Sequence, residues 1–139
     1  MGKRIDVGCR ELEKAFRKHI DLFGNGKTSS HFLLLFYAVE CGLKYLYLRE
    51  NRLMDTGQIQ DNALTRDSEC SGHDLGRWAK AVKVPAQQGC ISCIRRNNER
   101  LSICKAHQAW RYGAIINRDD EEKIVELLTN MKEIIKERI

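Results

Sequence analysis

A chain of 139 residues, 31% charged and 42% apolar, has the composition of a single soluble globular domain, expected here over residues 1–139. One proline and no Ser/Gly-rich tract argue against a linker or a disordered tail, and the formal net charge is +5. The opening MGKRIDVG lacks the apolar run of a signal peptide, so the expected location is the cytoplasm, where six cysteines serve as thiols, metal ligands or small buried residues rather than disulfides.

The first predicted element is an amphipathic helix from Cys9 to Phe23. Leu12, Ala15, Phe16, His19, Ile20 and Phe23 fall on one stripe, and charged residues fill the remaining positions. Gly24-Asn25-Gly26 stops it with residues that tolerate positive φ. Thr28, Ser29 and Ser30 then offer caps for a helix over His31–Glu50, HFLLLFYAVECGLKYLYLRE, which is apolar nearly all round and therefore expected at the centre of the core. Glu40 and Lys44 interrupt the run at its middle, which speaks against a membrane span. Their i, i+4 spacing suits either a helix-surface ion pair or a supporting polar pair facing a cavity between helices.

Residues 51–72 read as a long polar loop, with one helical turn around Ile59, Ala63 and Leu64. Ser71 is placed to cap a helix from His73 to Lys83 with Leu75, Trp78, Ala79 and Val82 inward, ended by Val84-Pro85. A loop carrying Cys90-Ile-Ser-Cys93 leads to a predicted helix over 97–115, with Ile103, Ala106 and Trp110 as its core stripe. Arg100, Cys104, His107 and Arg111 run along a neighbouring line of that helix. Asp119 and Asp120 begin the last helix, whose inward residues are Ile124, Leu127, Leu128, Met131, Ile134 and Ile135. No stretch reads as a convincing strand. The expected fold class is all-α: an antiparallel bundle of four to five helices.

Charge singles out one segment. Between Gly89 and Arg118 there are six Lys/Arg and one acidic residue, Glu99, so this stretch alone carries a surplus equal to the whole chain's net charge. A local basic excess suits an anion, above all a nucleic-acid backbone; the plainer reading is a solvated basic helix face. The same segment has metal-ligand spacing. Cys90-x-x-Cys93 and Cys104-x-x-His107 form two short-range pairs able to close a tetrahedral zinc site, with Cys70-x-x-His73 upstream and Cys70 an alternative to His107 as fourth ligand. Buried, inert cysteines are the other reading.

The order of pieces along the chain resembles the HEPN family (higher-eukaryote and prokaryote nucleotide-binding domains). An apolar helix with AVECGLKYL is followed by a helix opening GHDL, then AHQAWRYG, then a regular last helix, from about Ser30 to the end. The resemblance implies a four- or five-helix bundle, RNA or a nucleotide as ligand, a homodimer with a composite site, and often a metal-independent endoribonuclease of toxin–antitoxin or phage-defence systems. In such enzymes an arginine and a later histidine have four to six residues between them. Arg100 and His107 match the upper limit of that spacing, although Leu101 stands where active members usually have a polar residue.

The chemistry needs only protons and charge. The 2′-hydroxyl of RNA can attack the adjacent phosphorus, a histidine can move the proton, and an arginine can neutralise the phosphorane. Arg100 and His107 are the candidate catalytic pair. Arg95, Arg96, Arg111 and Tyr112 are candidate substrate contacts, with Trp110 or Tyr112 as a stacking platform. Competing structural roles are a core position for Trp110, a hydrogen-bonded core position for His107, and an ion pair of Arg111 with Glu40. The alternative function is a non-catalytic helical interaction module, zinc-stabilised or not, that pairs with a partner protein.

Overall fold

The computed structural model describes residues 7–59, 75–85, 90–92, 100–102 and 105–139, with 90–92 and 100–102 described at the level of the backbone. The chain is mostly helical. Helix α1 spans Cys9–Phe23 and turns back through Gly24 (φ 48°) and Asn25 (φ 62°), both left-handed, as the Gly-Asn-Gly stop requires. Helix α2, Ser29–Glu50, begins one turn after that stop, where the Thr28 hydroxyl accepts the amide of His31. Helix α3 spans Leu75–Ala81, α4 spans Ala106–Tyr112 and α5 spans Arg118–Arg138. Asn117 caps α5 by accepting the amides of Asp119 and Asp120.

Helix α2 is the core element expected from its all-round apolar pattern. Leu35, Phe36, Ala38, Val39, Leu43, Leu46 and Leu48 have no exposed surface, and α1, α3, α4 and α5 all pack on it. By length and apolar content α2 is also sufficient to cross a bilayer, and half of its most apolar window is buried inside the fold. The first part of the predicted 51–72 loop is tied to the start of the chain. Val7 and Thr56 exchange hydrogen bonds of 2.8 and 2.9 Å, Cys9 N–H donates to the Met54 carbonyl, and Thr56–Gln58 forms a 3-10 turn. The helical turn expected around Ala63 and Leu64, and the Ser71–His73 start of the third predicted helix, lie outside the described residues.

One prediction is corrected. The helix expected over 97–115 is only Ala106–Tyr112, and its N-terminal part is not helical: Arg100–Ser102 is strand β2, antiparallel to strand β1, Cys90–Ser92. The register pairs Cys90 with Ser102, Ile91 with Leu101 and Ser92 with Arg100. Periodicity misled here because the line Arg100, Cys104, His107, Arg111 fits a 3.6-residue period. A backbone partner ten residues upstream satisfies the same amides and carbonyls in a ladder instead, and such long-range pairing overrides local pattern.

Candidate functional site

The break between β2 and α4 separates the predicted catalytic pair. Arg100 sits on a strand and His107 on a helix, so the two do not share a helix face. His107 is 3% exposed, its ring 4.9 Å from that of Phe36 at a 30° tilt and 6.4 Å from that of Tyr37. It forms part of the contact between α4 and α2. Trp110, the other ambiguous residue of α4, is core: it is 5% exposed, lies 5.7 Å from the Phe32 ring, and donates its indole N–H to Glu121 at 3.1 Å. This matches the rule that buried indoles find an acceptor.

What the sequence did not single out is Tyr37. It lies on α2 at the junction of α1, α2 and α4, and three polar side chains, Arg111, His107 and His19, meet on it. The Arg111 guanidinium donates to its hydroxyl and lies with Cζ 5.8 Å from its ring. The rings of His107 and His19 stand 6.4 and 6.2 Å away. Tyr112, 75% exposed, presents its ring 6.0 Å from the same guanidinium. Arg111 thus pairs with Tyr37 rather than with Glu40, and the Tyr37 hydroxyl and then Tyr112 hold it even more firmly protonated than usual. The cluster combines an exposed fixed cation with an exposed aromatic face.

Glu40 and Lys44 do pair, at 3.5 Å, with side chains 11% and 19% exposed. Lys44 Nζ also lies 5.5 Å from the Trp78 ring, so the pair bridges α2 toward α3 rather than standing free on the surface. Glu40 acts electrostatically on His19, a residue sequence periodicity assigned to the apolar stripe of α1. Burial pushes the His19 imidazole below its ordinary value, Lys18 adds to that, and Glu40 opposes it. Its Nδ1 is buried and has no hydrogen-bond partner among the described residues.

That environment makes a pH prediction. The unfolded imidazole titrates near 6.5, above the folded one, so on acidification the unfolded chain takes up the proton first. The stability contributed by this site is therefore full above that value and declines as pH falls from there through the folded-state pKa. Urea unfolding between about pH 7.5 and 5 should show this decline in the wild type and a shallower one in His19→Asn. Equal slopes for the two proteins would refute the assignment.

Of the cysteines, Cys9 and Cys41 are free thiols, and burial, aided by Glu40, pushes the Cys41 thiol up to about 11. No group of three or more His, Cys, Asp or Glu stands close enough to hold a metal among the described residues. Cys70, Cys93 and Cys104, like Arg95 and Arg96, lie outside the described residues, and Cys90 is placed only as the first residue of β1. No family model, no curated protein and no solved structure matches this chain.

Proposed function

We propose that this chain is a HEPN-like helical bundle that binds RNA, with the Arg111–Tyr112 edge as its contact surface. The observation that carries the reading is the exposed Arg111 guanidinium, fixed by the Tyr37 hydroxyl beside a Tyr112 ring that is 75% exposed. These residues close the segment that holds the chain's positive surplus. A planar guanidinium held in place can donate to two phosphate oxygens without first losing side-chain freedom. An open tyrosine face next to it can stack a base, which is the arrangement used for single strands. Arg95, Arg96 and Arg100 belong to the same basic segment of the sequence and are further candidate phosphate contacts. In keeping with the HEPN resemblance, the protein acts in the cytoplasm as a homodimer, in a defence or toxin–antitoxin setting.

A second reading, the non-catalytic interaction module, is favoured by the burial of His107. Cleavage by an Arg100–His107 pair requires the imidazole to come within about 3 Å of a 2′-hydroxyl or leaving oxygen. A ring that is 3% exposed and stacked on Phe36 reaches neither unless α4 moves. Zinc at Cys90, Cys93, Cys104 and Cys70 would be a structural feature of this module; metal analysis of the purified protein reports it directly.

The test is fluorescence anisotropy with a short single-stranded RNA, alongside light scattering. Arg111→Ala and Tyr112→Ala should each weaken binding roughly tenfold, and Arg111→Ala should lower the salt slope by about 0.7. Both side chains are exposed, so neither change should alter the melting temperature much. Failure of the wild type to bind at low salt, together with a monomer in light scattering, would leave the interaction module.

A further inference from the structure

Away from Tyr37 lies a groove that the RNA reading does not use. It runs between the α1–α2 turn and the first three turns of α5, with a volume of about 530 Å³, within the range of small-molecule sites. Its floor is apolar: Phe23, Phe32 and Val125. One wall is the turn 25–27, ending in Lys27, and the other is the face of α5 that carries Arg118, Glu121, Glu122 and Glu126. An acid-lined groove repels a polyanion, so this is not an extension of the phosphate-binding edge.

The charges of the groove divide into those already engaged and those left over. Glu121 accepts the Trp110 indole N–H at 3.1 Å, and Glu122 pairs with Arg118 at 3.6 Å. Among the described residues Glu126 and Lys27 have neither an ion pair nor a side-chain hydrogen bond, and they stand on the two walls, one on α5 and one in the α1–α2 turn. The turn that carries Lys27 is held in shape. Gly26 lies so close to the His31 ring that a Cβ there would come within 2.1 Å of it, while Thr28 Oγ1 and His31 Nδ1 are hydrogen-bonded at 2.6 Å. One unengaged anion, one unengaged cation and an apolar floor beside them are complementary to a molecule that carries an ammonium, a carboxylate and an apolar group.

We infer that this groove binds a small zwitterion with an apolar body, of the free amino-acid class. Its ammonium lies at Glu126, its carboxylate at Lys27, and its side chain on Phe23 and Phe32. A simple amine would be repelled by Lys27 and a simple acid by Glu126, so each charge of the ligand answers one charge of the site. Glu121 lines the groove and accepts the Trp110 indole N–H, so the indole resonance reports on the site from one side chain away.

Nitrogen–proton NMR of the whole chain, including the Trp110 indole resonance, tests this. The probes are L-phenylalanine, phenethylamine, which lacks the carboxylate, and 3-phenylpropionate, which lacks the ammonium, each to about 10 mM. L-phenylalanine should give saturable shifts at Trp110 and in the 25–27 turn, and each single-charge analogue should bind roughly tenfold more weakly. Glu126→Gln should weaken L-phenylalanine and phenethylamine but not 3-phenylpropionate, and Lys27→Met should do the reverse for the two analogues. Both residues are exposed, so the variants should fold as the wild type does. Absence of saturable shifts with all three probes, analogues that bind as tightly as the zwitterion, or binding that neither variant changes would each overturn the assignment. None of these outcomes depends on whether RNA binds at Arg111.

Discussion

Gly42→Val is expected to destabilise the domain by about 3 kcal/mol, a large share of the roughly 5–15 kcal/mol that holds a domain of this kind together. Gly42 lies in the middle of α2, a position where glycine costs about 1 kcal/mol of helix stability relative to alanine. It is there because three helices converge on it. A Cβ would stand 2.7 Å from Ile135 Cγ2 on α5 and 3.0 Å from Phe16 Cδ2 on α1. Ile135 is fully buried and Phe16 is 1% exposed, so neither ring nor branched chain has space to withdraw. Alanine at this position sets the helix gain against the clash and should lose less than valine. Urea denaturation with a fixed slope m reads both, and a valine variant as stable as the wild type would mean that α1 and α5 do not meet on α2 as described.

His107→Ala is expected to cost about 2–4 kcal/mol, the loss of a buried ring packed on another ring, while leaving the RNA affinity of the folded protein unchanged. The two readings of this histidine part on the same pair of measurements. A packed residue gives a lower melting temperature and unaltered binding. A general acid or base gives an unaltered melting temperature and a cleavage activity that disappears, with or without a chelator, since the arginine–histidine chemistry needs no metal. The position of His107 between α4 and Phe36 favours the first outcome. Wild-type cleavage of RNA that His107→Ala abolishes at full stability would return the enzyme to first place and require α4 to move during the reaction.

The sequence by itself determined most of the helical frame. Helix α1 runs from Cys9 to Phe23 as its stripe and the Gly-Asn-Gly stop demand, and α2 and α5 begin within two residues of their expected starts. In each case the information is local: an apolar period of 3.6, a capping side chain and a residue that tolerates a left-handed conformation all lie within a few positions of one another. The same locality placed Trp110 on the core stripe, whereas the exposure of Tyr112 is read from the structure. The β1–β2 ladder was not legible, because residues 100–102 continue a helical pattern and find their backbone partner at 90–92 instead.

Nor could the chain alone show where the polar side chains meet. His19 sits in the apolar stripe of α1 and Tyr37 in the all-round apolar α2, so each looks like ordinary core in its own segment. Only the crossing of α1, α2 and α4 brings His19, His107 and Arg111 around the Tyr37 phenol. The groove over Phe23 and Phe32 has the same origin, since its opposed charges come from residues 99 positions apart, Lys27 and Glu126. Periodicity records which face of a helix turns inward. What that face meets depends on how the helices cross, and the crossing is set by packing among residues distant in the chain, such as Gly42 against Ile135 and Phe16.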